Sequence, residues 1–333
     1  MFLKRIAIVV AIASSLPSIA FGAEKIRAQL SWISTVQYAD HWIAKEKDLF
    51  EKQGLDVELR PGGPNAVKAP VAVAAGAADI GYTDWQSFLG AIRQGNDFVL
   101  IGVPMYNSPM GILSLKAHPI QKPEDISGAK ILTQGPHEKH LIEAVLSLAK
   151  KKPDDWVSVP AGYSPDPLLA GDGVGYTAYA TNQVITLEKM GLKKGQDFFF
   201  VSFEDLGFAE PGEVIFTTRT YLNSHRDTLV KYIAALIEGW RLNVQDPTYA
   251  PKLVVEKYGS DLGLDLDQQN RQNILQMDLR REPYYLLDTA RVTGPMMDAA
   301  RAAGTADLPA HPENLVDADV VREAHQSLQA SAK

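Results

Sequence analysis

Residues 55–83 read LDVELRPGGPNAVKAPVAVAAGAADIGYT. Leu55, Val57 and Leu59 alternate with Asp56, Glu58 and Arg60, the period of a strand with one buried face. Pro61-Gly62-Gly63-Pro64 breaks that strand into a loop. Ala66–Ala75 is a run of small residues that predicts a helix, and Gly76 stops it. Asp79–Tyr82 is a second short strand. Strand, helix and strand in immediate succession form the unit of a parallel sheet, because parallel neighbours need a crossover between them.

On the N-terminal side, Lys25–Leu30 alternates as a strand. Tyr38–Phe50 reads as a helix with Tyr38, Trp42, Ile43, Leu49 and Phe50 on one side, ended by Gly54. On the C-terminal side, Thr83 opens a helix through Gln94. Thr83-x-x-Gln86 fits a capping box, with Asp84 as the competing cap. Val99–Val103 is a buried strand. A second block repeats the alternation, with strands at Gly111–Leu115, Lys130–Thr133, Val157–Val159, Gly175–Tyr179 and Phe198–Val201. Its helices start at Gly135-Pro136, Asp166 and Thr181. Val214–Thr218 reads as a strand returning to the first block. In His225–Asn243, Leu229, Ile233, Leu236, Ile237 and Trp240 face inward. Residues 251–329 read as helices and loops, and Gln329–Lys333 as an end that frays. The expectation is an α/β protein of two lobes, each a mostly parallel sheet flanked by helices. Residues 23–110 and 213–333 make one lobe and 111–212 the other. Two crossings between lobes make a hinge and a cleft of the kind that closes around a ligand.

Met1–Gly22 has the layout of a cleaved export signal: Lys4 and Arg5, the apolar run Ile6–Ile12, and small residues at Ala20 and Gly22. The apolar run is too short to span a bilayer. The expected location is the periplasm. The chain has no cysteine, so a lipid tether and a disulfide framework are both excluded. Its net charge is −7, which becomes more negative once Lys4 and Arg5 leave with the signal. An acidic chain without a basic run is a poor partner for nucleic acid. There is no G-x-S-x-G elbow, no phosphate loop and no catalytic cysteine. His137 and His140 stand at i and i+3 near Glu138 and Glu143. Without a further ligand they read as a solvated face rather than a metal site. His41 beside Asp40 reads as a surface pair. No cofactor is expected.

Several motifs, in this order, resemble the thiamine-precursor and nitrate/sulfonate/taurine superfamily of periplasmic binding proteins. They are Gln37-Tyr38-Ala39, Lys45–Phe50, Gly54-Leu55-Asp56-Val57, Gly62-Gly63-Pro64, Val73–Gly81, Pro123–Ile131 and Tyr179-Ala180-Thr181-Asn182-Gln183. Gln183 stands where that family usually has an acid, and Gly175 where aspartate is common. The resemblance implies a type II, Venus-flytrap fold. It implies the solute-binding role of an ABC importer, a monomer that hands a small ligand to an inner-membrane permease and its ATPase. Leu30-Ser31-Trp32 with Gln37-Tyr38 looks more like the branch that binds pyrimidine precursors of thiamine than the sulfonate branch. A ligand-sensing role stays open. A pyrimidine synthase of the same superfamily carries a cysteine-rich motif that this chain lacks.

Ligands of open α/β sheets sit beyond the C-terminal ends of strands, at helix N-termini. That rule selects Ser31, Trp32, Gln37 and Tyr38 after the first strand, then Thr83, Asp84 and Trp85. It selects Tyr106 and Asn107, with Met110 at the crossing. The second lobe contributes Gln134, Gly135, His137, Tyr163, Tyr179 and Asn182. Each has an ordinary structural alternative: core packing for Trp32, Tyr38 and Trp85, a helix cap for Asp84, a hydrated helix start for Gln134-Gly135. The set is aromatic and amide-rich with no Arg or Lys, which suits a flat heterocycle better than an oxyanion.

Overall fold

The computed structural model describes residues 22–331; the expected export signal lies outside these residues apart from Gly22, as do the last two residues of the chain. Ten strands form two sheets. They are β1 (Glu24–Gln29), β2 (Leu55–Arg60), β3 (Ile80–Thr83), β4 (Phe98–Met105), β5 (Met110–Leu115), β6 (Lys130–Thr133), β7 (Val157–Pro160), β8 (Gly175–Tyr179), β9 (Phe198–Ser202) and β10 (Glu213–Thr218). The first sheet has the order β2-β1-β3-β10-β4 and the second β7-β6-β8-β5-β9.

Both sheets obey one rule. β1 pairs parallel with β2 and β3, and β6 pairs parallel with β7 and β8. β10 and β5 are the first strands laid down after each crossing, and each runs antiparallel to its two neighbours. A strand that enters from the crossing runs away from the space between the sheets. The N-terminal ends of β5 and β10 therefore share an edge with the C-terminal ends of the parallel strands.

Each sheet is covered on both faces, which is why β4 is buried at every position and reads as a continuous apolar run rather than an alternating one. One face of the first sheet carries the helix Arg226–Gln245, in which Leu229, Ile233, Leu236, Ile237 and Trp240 are all fully buried. The other carries Trp85, Phe88 and Phe216. The C-terminal helices touch elements of both sheets. Leu266–Leu279 packs on the turn Val36–Tyr38 and on the wide turn Ala180–Val184. In Met297–Ala302, Met297 and Ala300 join the core of the first sheet while Ala299 joins that of the second.

The local differences from expectation have physical causes. The helix expected over 38–50 is a tight turn at Val36–Tyr38, then Ala39–Glu46, then Leu49–Lys52. Asp48 in the left-handed region at φ 53° separates the last two. Thr83 ends β3 and caps nothing. Asp84 is the N-cap of Trp85–Arg93, accepting from Ser87 N at 2.8 Å. Asp40 and His41 are not a surface pair; both are buried. His137 and His140 are exposed, and no group of three metal-ligating side chains forms among the described residues.

Gly239 lets helix Arg226–Gln245 lie against Ala39–Glu46. A Cβ there would stand 2.4 Å from the backbone oxygen of Asp40. Gly239→Ala gains up to about 1 kcal/mol of helix propensity but forces the helices apart at a cost of about 1–3 kcal/mol. The expected net result is a lower melting temperature, measured by calorimetry. A raised one would show that this approach is not constrained.

Candidate functional site: the interlobe cleft

A cavity of about 690 Å³ lies between the sheets, walled from both sides and by the helix Leu266–Leu279. Its floor forms where β1 ends and β10 begins. Loop 61–64 closes on that edge so tightly that a Cβ on Gly62 would meet Leu30 O at 2.4 Å. The turn after β1 is held by the Tyr38 hydroxyl, which accepts from the backbone of Ser31 at 3.1 Å and of Trp32 at 3.0 Å. Glu213, the first residue of β10, sits against this turn. Its Oε1 accepts from Tyr38 at 3.1 Å, from Gln37 Nε2 at 3.2 Å, and from Ser31 Oγ. Burial pushes the Glu213 carboxyl up to about 7, although hydrogen bonds from Ser31 and Tyr38 pull it down.

A second polar layer lies under this floor. Asp40 Oδ2 accepts from Arg280 at 2.6 Å and from Tyr285. Its Oδ1 meets His41 Nδ1 at 2.6 Å. His41 Nε2 lies 2.7 Å from the Tyr82 hydroxyl, itself 2.8 Å from that of Tyr232. Burial works to raise the Asp40 carboxyl, but Arg280 and His41 outweigh it and hold the group well below the usual carboxylate range.

Trp32 is 42% exposed, Tyr179 40% and Tyr163 78%. These rings stand free in the cavity wall rather than in a core. The cavity also takes Gln37, Thr83, Asp84, Gln134 and Asn182. The remaining residues predicted for the site lie elsewhere. Tyr38 is buried behind the floor and reaches it through its hydroxyl. Trp85 stacks on Phe88 in the core, 5.7 Å between ring centres, because its helix turns that side to the sheet. Tyr106 lies under the guanidinium of Arg291 at 4.0 Å. Asn107 is tied by its backbone N–H to Leu279 O at 3.2 Å. Met110 is buried in the core of the second sheet. Gly135 and His137 do not line the cavity.

The sequence reading missed Glu213, Lys68, Glu138 and the glutamines of Leu266–Leu279. Glu213 opens an antiparallel strand, so a rule that searches only the C-terminal ends of strands passes over it. Gln269, Gln272 and Gln276 follow the i, i+3, i+7 spacing of one helix face, a signal present in the sequence. Gln134 Nε2 and Gln276 Oε1 are buried without partners among the described residues, though each side chain borders the cavity.

A family model described as NMT1/THI5 like matches residues 35–250. The chain belongs to that family. It is 23% identical over 257 residues to the 4-amino-5-hydroxymethyl-2-methylpyrimidine phosphate synthase of Schizosaccharomyces pombe, covering 74% of this chain and 72% of that protein. A putative sulfonate ABC transporter's periplasmic sulfonate-binding protein from Methylobacillus flagellatus superposes with a TM-score of 0.69 at 15% identity, over 92% of this chain and 96% of that one. The periplasmic nitrate-binding protein of Synechocystis superposes with a TM-score of 0.62 at 11% identity, over 92% and 90%. The fold is the two-lobed periplasmic binding protein fold. Among the described residues, no helix is long and apolar enough to cross a membrane.

Glu210, in the return crossing beside the cavity, accepts from Gln86 Nε2 at 3.1 Å. Burial pushes its carboxyl up to about 8, with Gln86 opposing and Asp84 and Glu204 adding to the rise. The folded chain therefore holds this proton where the unfolded chain has lost it, and stability falls as pH climbs from the ordinary Glu range through about 8. Glu210→Gln removes that ionisation. Its melting temperature is expected to match the parent's at about pH 4, where the carboxyl is protonated folded and unfolded, and to exceed it at about pH 8.5. Equal melting temperatures at about pH 8.5 would refute the assignment.

Proposed function

We propose that this chain is an exported, periplasmic solute-binding component of an ABC importer. It captures a small flat nitrogen heterocycle, of the kind of a thiamine pyrimidine precursor, and releases it unchanged to a permease with its ATPase. The observation that carries this reading is the wall of the cleft. One cavity is lined by Trp32 from one lobe and by Tyr163 and Tyr179 from the other, together with the amides Gln37, Gln134 and Asn182. Rings supply the faces of a stack, each aromatic pair worth about 0.5–1.5 kcal/mol beyond burial. Amides read the edge of the guest and reject rings that lack the matching group.

The two lobes, residues 23–110 with 213–333 and residues 111–212, close as bodies about the two crossings. Only contacts made by both can favour the closed form. The fission-yeast relative is named for an aminopyrimidine phosphate, which supports such a guest. An oxyanion is the weaker guest for this cleft. Among the described residues Lys68 is the lone cation on its wall, set against Asp84, Glu138 and Glu213. Binding without turnover fits side chains committed to one another rather than to a nucleophile.

Mass spectrometry of the small molecule released from protein purified without refolding tests the reading. A nitrogen heterocycle is the expected result; a sulfonate, or conversion of an added heterocycle to product, overturns it. Trp32→Ala is expected to weaken binding of the released compound by about 1–3 kcal/mol, roughly 5- to 150-fold, with little change in stability because the ring is half exposed. Unchanged calorimetric affinity in the folded variant removes Trp32 from the site.

A further inference from the structure

Glu213 is 2% exposed, and its two oxygens have different surroundings. Oε1 is saturated by Ser31, Gln37 and Tyr38. Oε2 has no hydrogen-bond partner among the described residues, and the side chain forms part of the cavity wall. Among the described residues, no cation lies within salt-bridge distance of either oxygen. Arg280, the guanidinium in the layer beneath, is engaged by Asp40 at 2.6 Å and by Gln37 O at 3.2 Å, and it lies on the Trp240 ring at 3.7 Å. An ionised carboxylate buried without a counter-charge is costly. A positive or N–H-rich group approaching from the cavity side would offset that cost.

We infer that Glu213 selects the charge of the ligand: its unpartnered oxygen receives the paired N–H edge of an amidine-like organic base, and the cleft rejects anionic rings of the same shape. This deepens the proposed capture of a heterocycle and rests on it. A carboxylate facing an amidinium makes charge-assisted hydrogen bonds, roughly twice as strong as neutral ones. Asp84 and Glu138 on the same wall add to the selection, so a carboxylate or sulfonate guest meets repulsion on several sides. Ser31, Gln37 and Tyr38 act as positioning residues, fixing Oε1 so that Oε2 faces inward. The charged and titratable groups around Glu213 are Tyr38 from the turn after β1, Asp40 and Arg280 beneath it, and Tyr232 from the long helix. Burial pushes the carboxyl up to about 7, against the pull of the hydrogen bonds from Ser31 and Tyr38 and of Arg280. A fixed cation must drive off that proton to bind, so its affinity falls as the pH is lowered.

Benzamidine, benzamide and benzoate share one shape and differ in charge. Titration calorimetry of the whole protein with each compound, near pH 8, tests the inference. Benzamidine is expected to bind at least about tenfold tighter than benzamide, with benzoate weakest. Glu213→Gln is expected to abolish that preference. Lowering the pH to about 6 should weaken benzamidine, a cation throughout this range, in the parent and not in the variant. Equal binding of all three compounds, or benzamidine bound by Glu213→Gln as by the parent, overturns the inference and leaves the aromatic cleft standing. Binding of none overturns the aromatic reading as well. Should Glu213→Gln lose its cooperative melting transition, the pH series on the parent decides, and a benzamidine affinity that is flat from pH 6 to about 8.5 overturns the inference.

Discussion

The cleft floor depends on a buried ion pair. Arg280 and Asp40 are buried side chains 2.6 Å apart, joined by residues 240 positions distant in sequence. Taking either charge out of water alone would cost several kcal/mol. The pair is tolerable because most of its polar atoms have partners. His41 and Tyr285 complete the carboxylate, while Gln37 O and the Trp240 ring receive the guanidinium. The consequence is geometric. Arg280 follows the helix Leu266–Leu279, so the pair fastens that helix beneath the turn that carries Tyr38, and Tyr38 fastens Glu213. The position of a carboxyl in the cavity is thus set two layers down, by charges that never touch a ligand.

The same C-terminal helix also meets the other lobe. Lys189 reaches Asp265 at 2.8 Å, and Arg271 lies 3.8 Å from Glu188. Farther along, Arg291 spans from Tyr106 O at 3.2 Å to Glu204 at 3.0 Å, joining the outward and return crossings. The lobe-to-lobe contacts through Lys189 and Arg271 are exposed and worth about 0–1 kcal/mol each. The contacts fastening the helix to the first lobe are buried: Gln276 Nε2 on Val36 O at 2.8 Å and the reciprocal amide pair of Asn243 and Asn273. The strong attachments lie on one side and the weak ones on the other. A rearrangement that moves the lobes would therefore break the Lys189 and Arg271 contacts first and keep the floor intact.

Much of this architecture is legible in the sequence because it rests on period and punctuation. The strand at 55–60, the small helix that follows and the long helix with Trp240 are written in local patterns, and each forms close to its expected bounds. The crossings are legible too, since an apolar strand such as Val214–Thr218 after a long second block must rejoin something. Long-range polar pairing is what the pattern does not show. Asp40 and His41 look like a surface pair when read beside their neighbours, because the partner that buries them, Arg280, lies at the far end of the chain. Trp85 shows the reverse error. A tryptophan at a helix start beside the cleft edge looks like a site residue, yet the helix rotation fixed by the Asp84 cap turns it toward Phe88. Rotation about a helix axis is a tertiary quantity, and residues one position apart point about 100° from each other. Asp84, extended at the N-cap, borders the cavity, whereas Trp85, the first helical residue, is buried against Phe88.

Fold and charge part company in this cleft. Its two-lobed frame superposes on proteins named for sulfonate and nitrate, and the frame by itself does not choose among guests. The choice lies in the few side chains that the frame carries to its inner edge. Among the described residues those edges bring three carboxyl groups and a single lysine to the wall, and that lysine leans on Gly63 O at 3.4 Å. Low dielectric between the lobes strengthens every such charge as water leaves on closure. An anion would meet growing repulsion as the lobes approach, whereas a base would meet growing attraction. On the proposed capture of a base, closure would therefore sharpen the discrimination: the charge on the wall would act weakly in an open, hydrated cleft and strongly in a closed one.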